Sequence, residues 1–462
     1  MTIPDPHQSR PDLAYGGELA LFTDLYELTM LQAYFEEGLD APAVFSLFVR
    51  RLPQRRNFLL ACGLDTVLAQ LETLRFEQAD LEYLASLDQF STRFLDWLAD
   101  FRFTGDVYAV AEGTPIFANE PLLEIVAPLP QAQLIETLVM NQMSLQTVLA
   151  SKAVRLVGAA RGRPVIDFGA RRMHGLDAAL KAARAFHVAG VAGTSNVLAG
   201  RLYGVPVLGT MAHSYIQAHE DEAAAFAAFA RLYPDTVLLV DTYDTLTGIQ
   251  RVIDLARRLG DDFKVRAVRL DSGDLATLAR EARARLDGAG LNGVEIIASG
   301  GLDEDAVAGL LAAGAPIDGF GVGTSMGVSS DVPDLDIAYK LAEYAGRGRL
   351  KLSSGKPILP GRKQVFRREE DGLFRGDVIA RWDEDLAGTP LLTRVMANGR
   401  RTATHPASLD ALRDHGRAQL QRLPDGIRAI DAADPPYPVE VSAALREHQR
   451  AVTAAIAGTG GQ

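Results

Sequence analysis

One cysteine in 462 residues, Cys62, excludes an intramolecular disulfide framework and fits a reducing compartment. No apolar run is long enough to span a bilayer. Met1 to Tyr15 is polar and proline-bearing and lacks the basic stretch and apolar core of a secretory signal, so a cytoplasmic location is expected. Positive charge is also short: 47 Lys and Arg against 59 Asp and Glu leave a net charge of −12. Backbone phosphates demand basic surface, so a general nucleic-acid binder is excluded. A small anionic ligand in a local basic pocket is not. Neither membrane nor nucleic acid is expected as a partner.

What is present is ordinary for a globular protein, with 48% hydrophobic and 23% charged residues, and the length predicts two or three domains. Leu19 to Gly38 reads as a helix capped at Thr23 or Asp24, with Tyr26 among its apolar residues. Val44 to Val49 reads as a strand, Leu64 to Phe101 as mostly helical, and Gln131 to Leu156 as one long helix. Between them, residues 105–130 carry short strands and turns. From Pro164 the chain alternates strand and helix. Continuous apolar strand candidates are Val165–Phe168, Val188–Ala192, Val205–Leu208, Val237–Val240, Val265–Leu270, Val294–Ala298 and Ile317–Val322. Strands apolar on both faces imply a parallel sheet covered on both sides. Repeated units of this kind predict an α/β class, with an irregular parallel α/β barrel. A second α+β domain is expected from the N-terminal region and part of the C-terminal region. The expected boundaries are 1–150 for the N-terminal domain with its β-rich subdomain near 105–130, and 151–345 for the barrel. The remaining segment, 346–462, is expected to pack partly back on the N-terminal domain.

A barrel places its chemistry where strands end. Those positions hold Asp167, Phe168, Gly169, Arg171 and Arg172; then His213, in Gly209-Thr210-Met211-Ala212-His213; then Asp241, Thr242 and Asp244. Later strands end in Arg269, Asp271, Ser272 and Asp274, in Ser299-Gly300-Gly301, and in Gly321-Val322-Gly323-Thr324. Two small-residue turns after consecutive late strands suit a phosphate held by backbone N–H groups. Acids interleaved with arginines suit a sugar phosphate: carboxylates hold Mg²⁺ or ribose hydroxyls, and guanidinium groups bind anions bidentately. Taken singly, each has a plainer reading. His213 fits a satisfied strand-end histidine, Ser195 a helix cap, and any Arg–Asp pair a structural ion pair. Four arginines in Arg50-Arg51-Leu52-Pro53-Gln54-Arg55-Arg56 suit a solvated loop as well as a phosphate.

Together these stretches resemble the nicotinate phosphoribosyltransferase family, of the barrel-containing type II phosphoribosyltransferase group. The motifs run in family order: Leu21-Phe22-Thr23-Asp24-Leu25-Tyr26, Asp167-Phe168-Gly169-Ala170-Arg171-Arg172, Gly193-Thr194-Ser195-Asn196, Gly209-Thr210-Met211-Ala212-His213-Ser214, Val240-Asp241-Thr242-Tyr243-Asp244, Arg269-Leu270-Asp271-Ser272-Gly273-Asp274, Ser299-Gly300-Gly301-Leu302-Asp303 and Gly319-Phe320-Gly321-Val322-Gly323-Thr324. The resemblance implies transfer of a phosphoribosyl group from phosphoribosyl pyrophosphate to nicotinate, coupled to ATP hydrolysis, in NAD biosynthesis. It implies ATP as co-substrate, Mg²⁺, and a homodimer with shared sites. By the same resemblance His213 is phosphorylated and oriented by Asp241. Asp271 meets ribose hydroxyls or the metal, and Arg269 lies near pyrophosphate or the phosphohistidine. Tyr26, from a neighbouring subunit, and Phe168 sandwich the pyridine ring, while Arg171 pairs with its carboxylate. Gly300, Gly301, Gly321, Gly323 and Thr324 cradle the 5′-phosphate. Arg50, Arg55, Arg56 and Lys152 are candidates for the diphosphate, with a surface role equally open. The related nicotinamide-using enzymes carry Asp where Ser195 stands. A carboxylate there would repel an acidic substrate and a hydroxyl can donate to one, so acid is expected over amide. The rivals are a nicotinamide- or quinolinate-using relative and a catalytically silent nucleotide-binding barrel.

Overall fold

A computed structural model describes residues 18–352, 358–403 and 408–459; the N-terminal stretch Met1 to Tyr15 lies outside them. The chain divides into two compact units, Lys152–Pro333 on one side and Met1–Ser151 with Asp334–Gln462 on the other.

The first of these is built on a six-stranded, all-parallel sheet. In chain order its strands are Val165–Asp167, Gly193–Thr194, Val237–Leu239, Ala267–Leu270, Glu295–Ala298 and Gly319–Val322. Across the sheet, chain neighbours lie side by side, and the last strand pairs with the first through Phe320↔Val165, Gly321↔Ile166 and Val322↔Asp167. That first-to-last pairing is what a barrel requires. The ring stays open at one seam, because Val207 bridges Thr194 but no pairing joins residues 205–208 to Val237–Leu239 among the described residues. The result is a parallel half-barrel.

Two expected strands were misplaced. Val188–Ala192 is not a strand: the helix Leu176–Val188 runs into it, and Gly190 ends that helix with φ 100° while Val191 N–H donates to Phe186 O. This is a glycine helix stop, which needs the left-handed region that other residues avoid. The strand proper is the following pair, Gly193–Thr194. Val205–Leu208 shrinks to the single bridge at Val207, since Pro206 has no N–H to offer a ladder. Its carbonyl still accepts Thr194 N–H. Beyond the strands, helices start on side-chain caps: Asn196, Asp221, Asp244, Asp274 and Asp303 each accept a backbone N–H three residues on.

The other unit interleaves the two ends of the chain. Its seven-stranded sheet runs Arg347–Gly348, Ile337–Tyr344, Pro42–Val49, Pro121–Pro128, Asp106–Ala109, Thr393–Ala397, Arg400–Arg401. Residues 334–345, expected to finish the barrel, belong here, because Ile337–Tyr344 pairs antiparallel along Ala43–Val49. A strand from the C-terminal region, Thr393–Ala397, pairs with Asp106–Ala109. A four-stranded sheet adds Thr389–Pro390, Lys363–Glu370, Leu373–Arg381 and Val439–Val441. The first helix starts later than expected, at Leu25 after the cap position Asp24, and stops at Gly38 with φ 67°. The long helix is broken at Ile135 into Leu129–Leu134 and Glu136–Ala159.

Candidate active site

The parallel unit gathers its strand-end residues into one connected group. Asp167, fully buried at the end of the first strand, anchors it. One carboxylate oxygen accepts Gly169 N–H at 2.8 Å, and the other accepts the Thr194 hydroxyl at 2.7 Å. Burial pushes its carboxyl up, and these two hydrogen bonds oppose that. Asp167 thereby fixes two turns at once, the one carrying Phe168 and Arg171 and the one carrying Ser195. Asn196, not Ser195, caps the next helix. Ser195 is exposed and its hydroxyl makes no hydrogen bond among the described residues, as expected of a group left for a ligand.

His213 opens the short helix His213–Gln217. Its Nδ1 lies 3.1 Å from Thr242 Oγ1, and its Nε2 lies 3.9 Å from Asp271 Oδ2. The two side chains are 41% and 37% exposed, open enough to meet a solute. Among the described residues Asp241 makes no hydrogen bond or ion pair with the imidazole. Its Oδ2 accepts Asp271 N–H at 2.9 Å and Ser272 Oγ–H at 2.8 Å, while its Oδ1 is buried without a partner. The expectation that Asp241 orients His213 is therefore corrected: Thr242, one residue on in the turn after the strand, lies against the ring, while the Asp241 carboxylate is taken up by the next loop. Asp241 orders the Asp271–Ser272 loop instead.

Arg269 donates to Thr210 Oγ1 at 2.8 Å and to Met211 O at 3.2 Å, and its guanidinium carbon sits 5.8 Å from the Phe168 ring centre. Burial lowers its affinity for the proton, opposed by Asp271 and Asp241 nearby. Its Nε is buried and unpartnered. Asp271 Oδ1 accepts the Ser299 hydroxyl at 2.6 Å, which leaves Oδ2 toward His213.

The glycine turns abut the same residues. Gly300 has φ +89°, and a Cβ there would stand 1.8 Å from Asp271 O, so only glycine fits. At Gly321 a Cβ would fall 2.5 Å from Phe168 Cε2, so the aromatic ring rests on that glycine. Gly323 precedes the short helix Thr324–Gly327, and Arg172 Nη1 reaches Thr324 Oγ1 at 3.1 Å. Arg171 is exposed and forms no ion pair among the described residues. Asp244 and Asp274 take no part: each caps a helix, and hydrogen bonds from Thr247 and Thr277 hold their carboxyls below the usual range.

The remaining candidates stand elsewhere. Tyr26 belongs to the other unit, 47% exposed on its helix. Its hydroxyl is 3.4 Å from Glu27 Oε1, and burial together with Glu136 and Glu27 pushes its proton affinity up. Lys152 is buried and paired with Glu304 at 2.5 Å and Asp331 at 2.8 Å. Arg50 pairs with Asp336 at 2.9 Å, Arg55 with Asp431 at 3.5 Å, and Arg56 is buried. Thr242, Thr210 and Ser299 stand at strand ends in the sequence, but no role for their hydroxyls is readable there, since a strand-end hydroxyl carries no distinguishing signal until its partner is known.

Comparison with known proteins gives the family of the chain. Three family models match in order: the nicotinate phosphoribosyltransferase N-terminal domain over residues 21–144, the nicotinate phosphoribosyltransferase family over 164–368, and the corresponding C-terminal domain over 384–449. A nicotinate phosphoribosyltransferase of Mycobacterium tuberculosis is 59% identical over 423 residues, covering 92% of this chain and 91% of the relative. One from Bacillus subtilis is 41% identical over 387 residues, covering 81% of this chain and 79% of that one. The crystal structure of human nicotinic acid phosphoribosyltransferase superposes with a TM-score of 0.83 at 28% identity, covering 93% of this chain and 99% of that one.

Proposed function

Because the chain belongs to the nicotinate phosphoribosyltransferase family, we propose that it joins nicotinate to the ribosyl phosphate of phosphoribosyl pyrophosphate, yielding nicotinate mononucleotide and pyrophosphate for NAD biosynthesis. The carrying observation is the unbroken set of contacts linking His213, Asp271, Arg269, Phe168 and the glycine turns at one end of the parallel sheet.

In this reading Phe168 stacks the pyridine ring, Arg171 pairs with its carboxylate, and the Ser195 hydroxyl donates to the same carboxylate. Tyr26 covers the ring from a second copy of the chain, which makes the working enzyme a homodimer. Gly300, Gly301, Gly321, Gly323 and Thr324 hold the 5′-phosphate through backbone N–H groups and one hydroxyl. Departure of pyrophosphate leaves an oxocarbenium-like ribose. The protein's contribution is to align the pyridine nitrogen with the anomeric carbon, stabilise the departing charge and exclude water. Asp271 accepts from the ribose hydroxyls, and Arg269 adds positive charge for the leaving group. With carboxylate partners already on Arg50, Arg55 and Lys152, binding diphosphate would require them to exchange an ion pair.

Mg²⁺ fits these residues: among the described residues Asp271 Oδ2 has no hydrogen bond, and Asp241 Oδ1 is a buried acceptor without a donor. Mg²⁺ is ordinarily held by one or two carboxylates plus substrate phosphates. When bound, it would neutralise charge developing on the pyrophosphate oxygens.

ATP coupling is part of the proposal, with His213 as the phosphoryl acceptor. A cytoplasmic location fits such a chemistry. The test is an assay with phosphoribosyl pyrophosphate, Mg²⁺ and either nicotinate or nicotinamide, with and without ATP, on wild type and His213→Ala. Product from nicotinate alone, raised by ATP only in wild type, is expected. Product from nicotinamide would overturn the role of Ser195, and no product from either base would leave a binding protein. Mixing Tyr26→Ala with Phe168→Ala tests the shared site: hybrid dimers regain activity at one of their two sites only if Tyr26 is supplied across the dimer.

A further inference from the structure

The segment that carries His213 lies outside the sheet ladder. After the bridge at Val207, it is fastened by side chains: Arg269 to Thr210 Oγ1 and Met211 O, and His213 Nδ1 to Thr242 Oγ1 at 3.1 Å. No carboxylate bonds Nδ1 among the described residues, and the acid facing the ring, Asp271, stands by the other nitrogen. A neutral imidazole carries its proton on one nitrogen and its reactive lone pair on the other, and a partner at one nitrogen decides which is which.

We propose that Thr242 is the positioning residue of His213: its hydroxyl oxygen accepts Nδ1–H and turns the unprotonated Nε2 toward Asp271 and the open site as the phosphoryl-accepting atom. This deepens the phosphohistidine reading above and rests on it. In the step, the Nε2 lone pair forms a bond to the γ-phosphorus of ATP. The bond from that phosphorus to the β,γ-bridging oxygen breaks, and ADP leaves with the electron pair. The Nδ1 proton stays on the ring, still donated to Thr242, until water takes the phosphoryl group as inorganic phosphate. A hydroxyl also orients the ring without adding another negative charge to a site that must admit two polyanionic substrates.

The test labels full-length wild type, Thr242→Val and Thr242→Ser with ATP carrying a radioactive γ-phosphate and Mg²⁺. It reads the rate of acid-labile protein labelling, the ring nitrogen that carries the phosphoryl group by NMR, and the His213 tautomer of the free enzyme by ¹⁵N NMR. Wild type is expected to show the Nδ1–H tautomer and phosphoryl on Nε2. Labelling should fall about 10–100-fold in Thr242→Val, as for loss of a residue that orients a reactive imidazole, and return to within about threefold in Thr242→Ser. Wild-type labelling in Thr242→Val, failure of Thr242→Ser to restore it, an Nε2–H tautomer in wild type, or phosphoryl on Nδ1 would each overturn the proposal. If Thr242→Val fails to fold, the wild-type tautomer, labelled nitrogen and serine variant still decide. A wild type that takes no label sinks the phosphohistidine reading and this proposal with it. A wild type labelled on Nε2 beside an equally labelled Thr242→Val sinks only the role of Thr242.

Discussion

Two clusters in the same unit use the same residue types to opposite ends. Lys152, Arg155, Glu304 and Asp331 form a network whose core is sealed: the Lys152, Arg155 and Glu304 side chains are 2%, 7% and 3% exposed, and their charges are met at 2.5 to 2.8 Å. His213, Asp241, Asp271 and Arg269 form a group that is half open and unfinished, with Asp271 Oδ2 only 3.9 Å from His213 Nε2 and, among the described residues, buried atoms of Asp241 and Arg269 without hydrogen-bond partners. A saturated network has spent its hydrogen-bonding capacity on the fold. An unsaturated one keeps capacity for a ligand, at a cost in stability that buried polar atoms always carry. From the sequence Lys152 and His213 were alike candidates for an anionic ligand; only the satisfaction of their partners tells them apart.

The largest effect should come from breaking the sealed network. Lys152→Met leaves Glu304 with less than its full complement of positive charge and should lower unfolding free energy by about 3 kcal/mol, read from urea denaturation. If that variant folds as stably as wild type but loses affinity for phosphoribosyl pyrophosphate, the comparison fails and Lys152 is a ligand residue. Next, Asp271→Asn should lower kcat/KM about 100-fold, roughly 2.7 kcal/mol, while the urea midpoint moves little. A large stability loss with normal turnover would place Asp271 with the structural acids. Gly321→Ala should raise the KM for nicotinate about tenfold, because the added methyl displaces the Phe168 ring. Asn196→Ala should cost about 1 kcal/mol of stability through its lost cap, without a change of substrate preference.

A pH series sharpens the contrast. Burial works against the Glu304 charge, but hydrogen bonds from Lys152 and Arg155 outweigh it and hold the carboxyl below its ordinary value of 4.5. A lowered folded value means that Glu304 contributes stability at all pH above 4.5 and loses it as pH falls through the lowered value. Unfolding free energy measured from pH 7 down to pH 3 should therefore fall more steeply, over that acid range, in wild type than in Glu304→Gln, about as expected for one released carboxylate. Parallel curves would remove Glu304 from the sealed network.

The strand–helix rhythm after Pro164 was legible because strands covered on both faces must be apolar throughout, whereas Asp244 and Asp274, read as strand-end acids, turn out to cap helices. The two errors have one cause. Val188–Ala192 and Val205–Leu208 are apolar runs, and burial alone does not separate a helix end or a bridge from a strand. Gly190 in the first run and Pro206 in the second do separate them. The candidate residues were legible as types at strand ends, whereas their pairings were not. That Thr242 rather than Asp241 meets His213 depends on which way each side chain leaves the turn after the strand. That Ile337–Tyr344 leaves the parallel unit depends on a partner nearly three hundred residues away.

By itself the sequence determined the class of fold, the order of the motifs and the family, since hydrophobic period, turn chemistry and short motifs are local properties of a chain. The tertiary structure alone decided which strand closes the half-barrel, which charges are saturated and which stay open, and which hydroxyl holds the reactive histidine. Those depend on distances of a few ångströms between residues far apart in the chain, and spacing along a sequence carries no such distances.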